Sequence, residues 1–396
     1  MSDESERVEE LFEEIKDLVD DNADLESLAP ADAYELWIDQ LRERSESTVQ
    51  TYGYRVEPFI EWLQERGITD LVDLGKRDIK EFEAELRAAE DKRTTRNNKL
   101  GTIRLFLRFC EDLNAVSGDV IAAMDVPELT KDDKVDTDSL VSERAFGILD
   151  DLATYEYASR EHVAFLLLWR TTIRLGALYS LDLQDLYLTD EDIERIRAEL
   201  TERGYVDEVI ERIIDETELP AIRPRSRPET DTRLKNGEGG ERWINISRET
   251  AQVVQDYIDT NRHDVTDEHG REPLITSQKG DGRLSKSAIR NWCYILTQPC
   301  NWGGPCPHEK DPGSCEYREH GQGAGCPSSR SPHKIRKGSI TWHRDRGWPI
   351  EALTEKANAG EDLIKGVYDQ PEEMLRGSSR RSHLNNLDKN TQNDES

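Results

Sequence analysis

Residues 166–181 read Leu-Leu-Leu-Trp-Arg-Thr-Thr-Ile-Arg-Leu-Gly-Ala-Leu-Tyr-Ser-Leu. The longest apolar run of the chain, the seven residues 163–169, leads into this stretch, and a membrane span would need about 20. A buried helix over 162–172 that ends just before a cation, Arg174, is the reading that fits. Helical periodicity surrounds it at 142–152, 250–261, 286–296, 332–345 and 350–358. Strand signals are few. The best is 242–246, preceded by Lys235-Asn236-Gly237-Glu238-Gly239-Gly240, whose glycines supply the positive φ of a hairpin turn. Between Asp190 and Glu218 stand 12 acids and 4 bases, with Ile193, Ile196, Leu200, Val206, Val209, Ile210 and Ile213 at helical spacing, so an acidic helical insertion is expected.

Upstream, three compact helical patterns cover 31–43, 47–66 and 77–88, and a fourth starts at an N-cap, Thr94 or Thr95, and runs through Cys110. The fold class is therefore mainly α with a small β-sheet. The plan is an acidic amphipathic extension (1–29), a helical domain (30–127), a polar linker (128–138) and a larger domain (139–372). That larger domain carries the acidic insertion at 190–218 and a Cys-rich one at 298–328, and a polar tail follows at 373–396.

Charge narrows the function. With 53 bases against 83 acids the net charge is −30, which disfavours a chain that simply sticks to nucleic acid or anionic membrane. Arginine outnumbers lysine 37 to 16, a balance suited to concentrated salt, and we expect a halophile's cytosol. The N-terminus lacks a basic-then-apolar signal pattern, so a soluble, cytoplasmic protein is expected. Net charge hides local sign, however. Residues 92–110 hold Lys92, Arg93, Arg96, Lys99, Arg104 and Arg108 with no acid, and residues 330–346 hold six bases, Lys334 among them, against Asp345 alone. Two such patches would clamp a duplex through its phosphates, with Arg93, Arg96, Lys99, Arg104 and Lys334 as the contacts. The alternative is that these bases pair with acids elsewhere in the chain.

Chemistry gathers in the larger domain. Ser331-Pro332 opens a helix that sets His333 and Arg336 three apart on one face, and Tyr368 follows Arg336 by 32 residues. In order and spacing the chain resembles the tyrosine recombinase family, the phage integrases and Xer-like enzymes, over about residues 30–372. Arg174 matches the family's first Arg, Lys235 the Lys beside the hairpin glycines, His333 and Arg336 the His-x-x-Arg pair, and Tyr368 the nucleophile. The helical domain resembles the SAM-like core-binding domain, SESTVQTYGYRVEPFIEWL being its most similar stretch. The form of SPHKIRKGSITWHRDRG looks most like haloarchaeal members.

Two positions depart from the family. Ala177 stands where a Glu is usual, and Ala359 stands where a His or Trp donates to the scissile phosphate. Asn358 or His343 are the available substitutes.

The resemblance implies site-specific DNA recombination, in integration and excision or in resolution of multimers, through a 3′-phosphotyrosine. The residue types suit that chemistry on their own. A phenol stores the phosphodiester as an ester of comparable energy, two guanidiniums stabilise the pentacoordinate charge without a metal or other cofactor, and a lysine can protonate the leaving 5′ oxygen. Double-stranded DNA is the implied partner. A homotetramer is expected on it, because two duplexes are each cut on both strands, with a monomer or dimer when free. A DNA-binding protein that has lost cleavage is the competing reading. A zinc hydrolase is a third, poorly supported for want of an open His/Asp/Glu set.

Cys300, Cys306, Cys315 and Cys326 are separated by 5, 8 and 10 residues, with His308 and His320 nearby. Four thiolates would hold a structural zinc, the alternative being reduced thiols or a redox pair.

Overall fold

The computed structural model describes residues 25–90, 92–130, 133, 138–279, 282–319 and 321–365. Most of the acidic extension, the tail and Tyr368 lie outside them. The chain divides into two compact units at Asp136/Thr137.

The first unit is a helical bundle: α1 Pro30–Gln40, α2 Glu46–Glu65, α3 Lys76–Ala89, α4 Arg93–Asp112 and the short α5 Gly118–Ala122. Its core is the apolar stripe of each helix, with Val56, Phe59, Leu63, Ile79, Phe106 and Leu107 fully buried. Trp37 stacks on Tyr52 and meets Phe106 edge-on. Helix α4 starts earlier than a threonine cap predicts. Lys92 is the N-cap and makes no side-chain bond there, which leaves Thr94 and Thr95 inside the first turn.

The second unit is also built on helices, with α7 (Arg160–Thr171) at its centre. Ser159 caps α7 by accepting from the His162 N–H (3.0 Å), and every residue from His162 to Trp169 is buried. Around it lie α6 Ser142–Tyr155, α8 Leu175–Ser180, α11 Arg248–Thr260, α12 Lys286–Leu296, α13 Pro332–Asp345 and α14 Ile350–Ala357. The acidic insertion folds as α9 Ile193–Glu202 and α10 Asp207–Glu216.

The sheet differs from the expected hairpin. Three two-residue strands, β1 Leu186–Tyr187, β2 Ala221–Ile222 and β3 Ile244–Asn245, run antiparallel in the order β1-β2-β3, with Leu186 opposite Ile222 and Ile222 opposite Ile244. The glycines at 237–240 form a 3-10 turn inside the long connection, residues 223–243, between the paired strands β2 and β3, so no tight turn closes that pair.

Helix α13 seats on α7 with almost no clearance. The Ser339 hydroxyl donates to the Trp169 carbonyl, and the Leu140 N–H donates to the Lys334 carbonyl (3.1 Å). At Gly338 a Cβ would lie 1.8 Å from the Leu140 carbonyl oxygen. Glycine is what lets the strap at Leu140 cross the helix.

Candidate active site

Helix α7 ends at Thr172, a threonine in the left-handed region (φ 56°) although its side chain is β-branched. This turn redirects the chain so that Arg174, the extended N-cap of α8, leaves the buried helix facing a cavity. The turn is braced: Arg336, only 2% exposed, donates from Nη1 to the Thr172 carbonyl. Arg336 is placed by α13, whose Ser331 hydroxyl accepts from the Lys334 N–H (3.4 Å) and whose Pro332 occupies the first turn. That start puts His333 and Arg336 on one face.

Arg174, Lys235, His333, Arg336 and Asn358 line one cavity of about 430 Å³, together with Arg242 and Arg290. Among the described residues no aspartate or glutamate lines it. In a chain of net charge −30 this is a pronounced local reversal of sign. Asp182 and Asp185, the first acids after Arg174 in sequence, are committed elsewhere. Arg227 holds both (3.2 and 2.6 Å), and Arg283 also pairs with Asp182. The cations feel one another. His333 is held below its ordinary pKa by partial desolvation and then by Arg336, Lys235, Lys337 and Arg174. The Arg242 guanidinium is brought down to about 10 by burial and by Arg174. Such a cavity is suited to an anion with several oxygens, which would receive donors from several sides without a competing carboxylate.

Arg242 and Arg290 carry no sequence signal strong enough to single them out. Arg242 reads there as the start of a strand, and its one available signal is that it follows Lys235 across the glycine turn. It donates from Nε to the Lys356 carbonyl (2.8 Å) and from Nη1 to the Gly240 carbonyl (3.0 Å).

The two offered substitutes for the missing donor are placed differently. Asn358 lines the cavity, but its side-chain amide is engaged: Asn236 Nδ2 donates to its Oδ1 (3.0 Å), and its Nδ2 donates to the Gly239 carbonyl (3.3 Å). His343 is 3% exposed, bonds through Nδ1 to the Ser339 carbonyl (2.7 Å), packs edge-on against Trp342 and Trp348, and does not line the cavity. Burial pushes its pKa down to about 4. An unfolded chain takes up this proton near pH 6.5, so stability should fall as pH drops from about 6.5 to about 4, by roughly 3 kcal/mol for this group. Urea melts between pH 7 and 4 should show that loss in the wild type and a shallower one in His343→Phe.

The basic stripe on α4 is less open than its composition suggests. Arg93 pairs with Asp133 (3.7 Å) and Lys99 with Glu90 (3.8 Å), while Arg96 donates to the Glu90 carbonyl (3.1 Å) and Arg104 to the Met124 carbonyl. Lys334 pairs with Asp138, which also takes Arg330 (2.9 Å). The alternative of pairing within the chain thus accounts for part of both patches.

In the Cys-rich insertion Cys300 and Cys326 are buried, Cys306 and Cys315 half-buried, and all four are free thiols. Burial raises the Cys300 pKa, and Cys306 and Cys326 add to that rise. Among the described residues no three His, Cys, Asp or Glu side chains gather into a metal-holding group. His308 Nε2 is hydrogen-bonded to the Ser328 hydroxyl (2.8 Å), and His320 lies outside the described residues. Among the described residues no helix is long and apolar enough to cross a membrane.

Residues 32–112 match the N-terminal SAM-like domain of phage integrases. Tyrosine recombinase XerD of Bifidobacterium longum (strain NCC 2705) is 28% identical over 154 residues, 38% of this chain and 49% of that protein, so the chain spans about half the length of this curated relative. Two solved structures share the architecture at low identity. The lambda integrase (75-356) dimer bound to a COC′ core site has a TM-score of 0.54 at 13% identity, covering 88% of this chain and 98% of that one. The Tn1549 transposon integrase in complex with transposon right end DNA has a TM-score of 0.54 at 14% identity, covering 91% and 99%. The chain has the integrase-type fold, with a SAM-like helical domain at its N-terminal side.

Proposed function

We propose that the protein is a tyrosine recombinase that cuts and rejoins duplex DNA at a specific site through a 3′-phosphotyrosine. The observation that carries this reading is the acid-free cavity in which Arg174, Lys235, His333 and Arg336 meet. In the proposed step the Tyr368 oxygen attacks the scissile phosphorus, the bond to the 5′ oxygen breaks, and the phenolic proton passes to His333. That histidine is kept neutral near pH 7 by its lowered pKa. Lys235 gives its proton to the departing 5′ oxygen. Arg174 and Arg336 donate to the nonbridging oxygens as negative charge accumulates there. Rejoining is the reverse, so no external energy source is needed. One Tyr368 per chain implies four chains for two duplexes cut on both strands.

A nicked duplex that lets the 5′ fragment diffuse away should trap the protein on the 3′ phosphate, seen as a shifted band after denaturing electrophoresis. A protein that binds its site and yields no such band would instead be a binding protein on this scaffold. The observation favouring that second reading is that Ala359 is buried against Ile340, Leu353 and Ile364 and offers the phosphate no donor.

The first unit is proposed to hold DNA by α4. The ion pairs of Arg93 and Lys99 are long and at the surface, where such pairs contribute at most about 1 kcal/mol, so phosphates can replace their partners. The carbonyl bonds of Arg96 and Arg104 leave their charge unneutralised. Replacing all four by Ala should weaken binding to any duplex and flatten the dependence of log affinity on log salt by roughly 0.9 for each phosphate that is no longer neutralised. Unchanged titrations would remove this patch. Elemental analysis of reduced protein decides the separate proposal of a structural zinc at Cys300, Cys306, Cys315 and Cys326.

A further inference from the structure

Lys235 sits on an exposed turn, yet an acid that must meet one oxygen atom has to be held in place. We infer that Asn358 is a positioning residue that locks the Lys235 turn to the Arg174 turn, an inference that rests on the recombination reading. Asn358 caps α14 in the left-handed region (φ 47°, ψ 59°). From this one backbone position it reaches both sides of the cavity. Its carbonyl accepts from Arg174 Nη1 (2.8 Å). Its side chain accepts from Asn236, the neighbour of Lys235, and donates to Gly239 (3.0 and 3.3 Å). Arg242 fastens the same junction a second time by bonding both Lys356 and Gly240. Packing agrees, since a Cβ on Gly240 would come within 3.3 Å of Asn358 Nδ2.

The residue type follows from these demands. Left-handed backbone is disfavoured for most side chains and tolerated by Asn, Asp and Gly. Glycine has no amide, and aspartate lacks the donor and would place negative charge among the cations. Asparagine alone of the three combines the backbone with one donor and one acceptor. Asn358, next to Ala359, thus compensates by holding the Lys235 turn in place.

The test separates positioning of the acid from general damage. The full-length protein, Asn358→Gly and Asn236→Ala are compared on two nicked duplexes, one with oxygen and one with sulfur bridging phosphorus to the 5′ carbon. A thiolate is a far weaker base than an alkoxide and leaves without a proton, so sulfur removes the demand on Lys235 and on nothing else. Both variants should bind DNA and melt as the wild type does. Both should form the adduct roughly 10- to 100-fold more slowly on the oxygen substrate, a fraction of a full general-acid effect, and near the wild-type rate on the sulfur substrate. Equal slowing on both substrates, or no slowing on either, overturns the inference. If Asn358→Gly is poorly folded, Asn236→Ala carries the same comparison without touching a left-handed residue. Wild-type protein that forms no adduct on either substrate overturns the recombination reading, and the inference with it.

Discussion

Tyr368→Phe is expected to bind its site and leave it uncut, with no covalent adduct at any time in the nicked-duplex assay. The loss is complete because phenylalanine has no oxygen to bond phosphorus. Affinity should change little, since one phenol is small beside several phosphate contacts. Arg174→Ala and Arg336→Ala should behave differently, forming the adduct on the order of 10²- to 10³-fold more slowly, because each removes donors that matter most when charge peaks at the phosphate. Arg336 has a second task, bracing the Thr172 carbonyl. Arg336→Lys therefore belongs beside Arg336→Ala, as it keeps the charge and loses the two-pronged geometry. If Tyr368→Phe still yields adduct, the nucleophile is another residue.

Gly338→Ala is expected to produce the largest loss of stability from a single methyl. Two effects oppose each other. In an open helix the change would gain up to about 1 kcal/mol from helix propensity. Here the new Cβ would stand 1.8 Å from the Leu140 carbonyl oxygen and 3.2 Å from Trp169, and the oxygen belongs to backbone that cannot swing aside. Overpacking of this kind costs about 3 kcal/mol or more, so the clash wins. At about 2–4 °C per kcal/mol for a domain of this size, the melting temperature should fall by roughly 6–12 °C. Gly101, on α4 with nothing within 4 Å of its missing Cβ, is the control: Gly101→Ala should be neutral or stabilising. Similar melting for Gly338→Ala and wild type would mean that α13 is not seated against Leu140 as described.

The sequence made these sites legible to different degrees, for physical reasons. His333 and Arg336 were readable because three residues is one turn of helix, and Arg174 because a cation at the end of so apolar a run is conspicuous. The structure brings them together with Lys235 in the lining of one cavity. Strands β1 and β2 were not readable, since two residues cannot display a period of two. The pairing of the α4 bases was hidden because half their partners are backbone carbonyls, such as those of Glu90 and Met124, which leave no mark in composition. Arg242 was hidden for the same reason: what distinguishes it is which carbonyls it reaches, and those belong to Gly240 and Lys356, the latter more than a hundred residues away in the chain.

The acid-free cavity has a consequence for discrimination. In most proteins that handle polyanions a broad positive surface invites contact anywhere, and sliding or loose binding follows. Here acids outnumber bases 83 to 53 over the chain, so a polyanion that arrives in a wrong orientation meets net like charge, and repulsion acts over about 10 Å at 0.1 M salt. An approach that brings phosphates to the cations around Arg174 and Arg336, or to the bases of α4, exchanges repulsion for attraction. Salt would then act in two directions, weakening the right contact while also removing the penalty on wrong ones. Selectivity in such a molecule comes as much from the orientations it refuses as from the one it accepts.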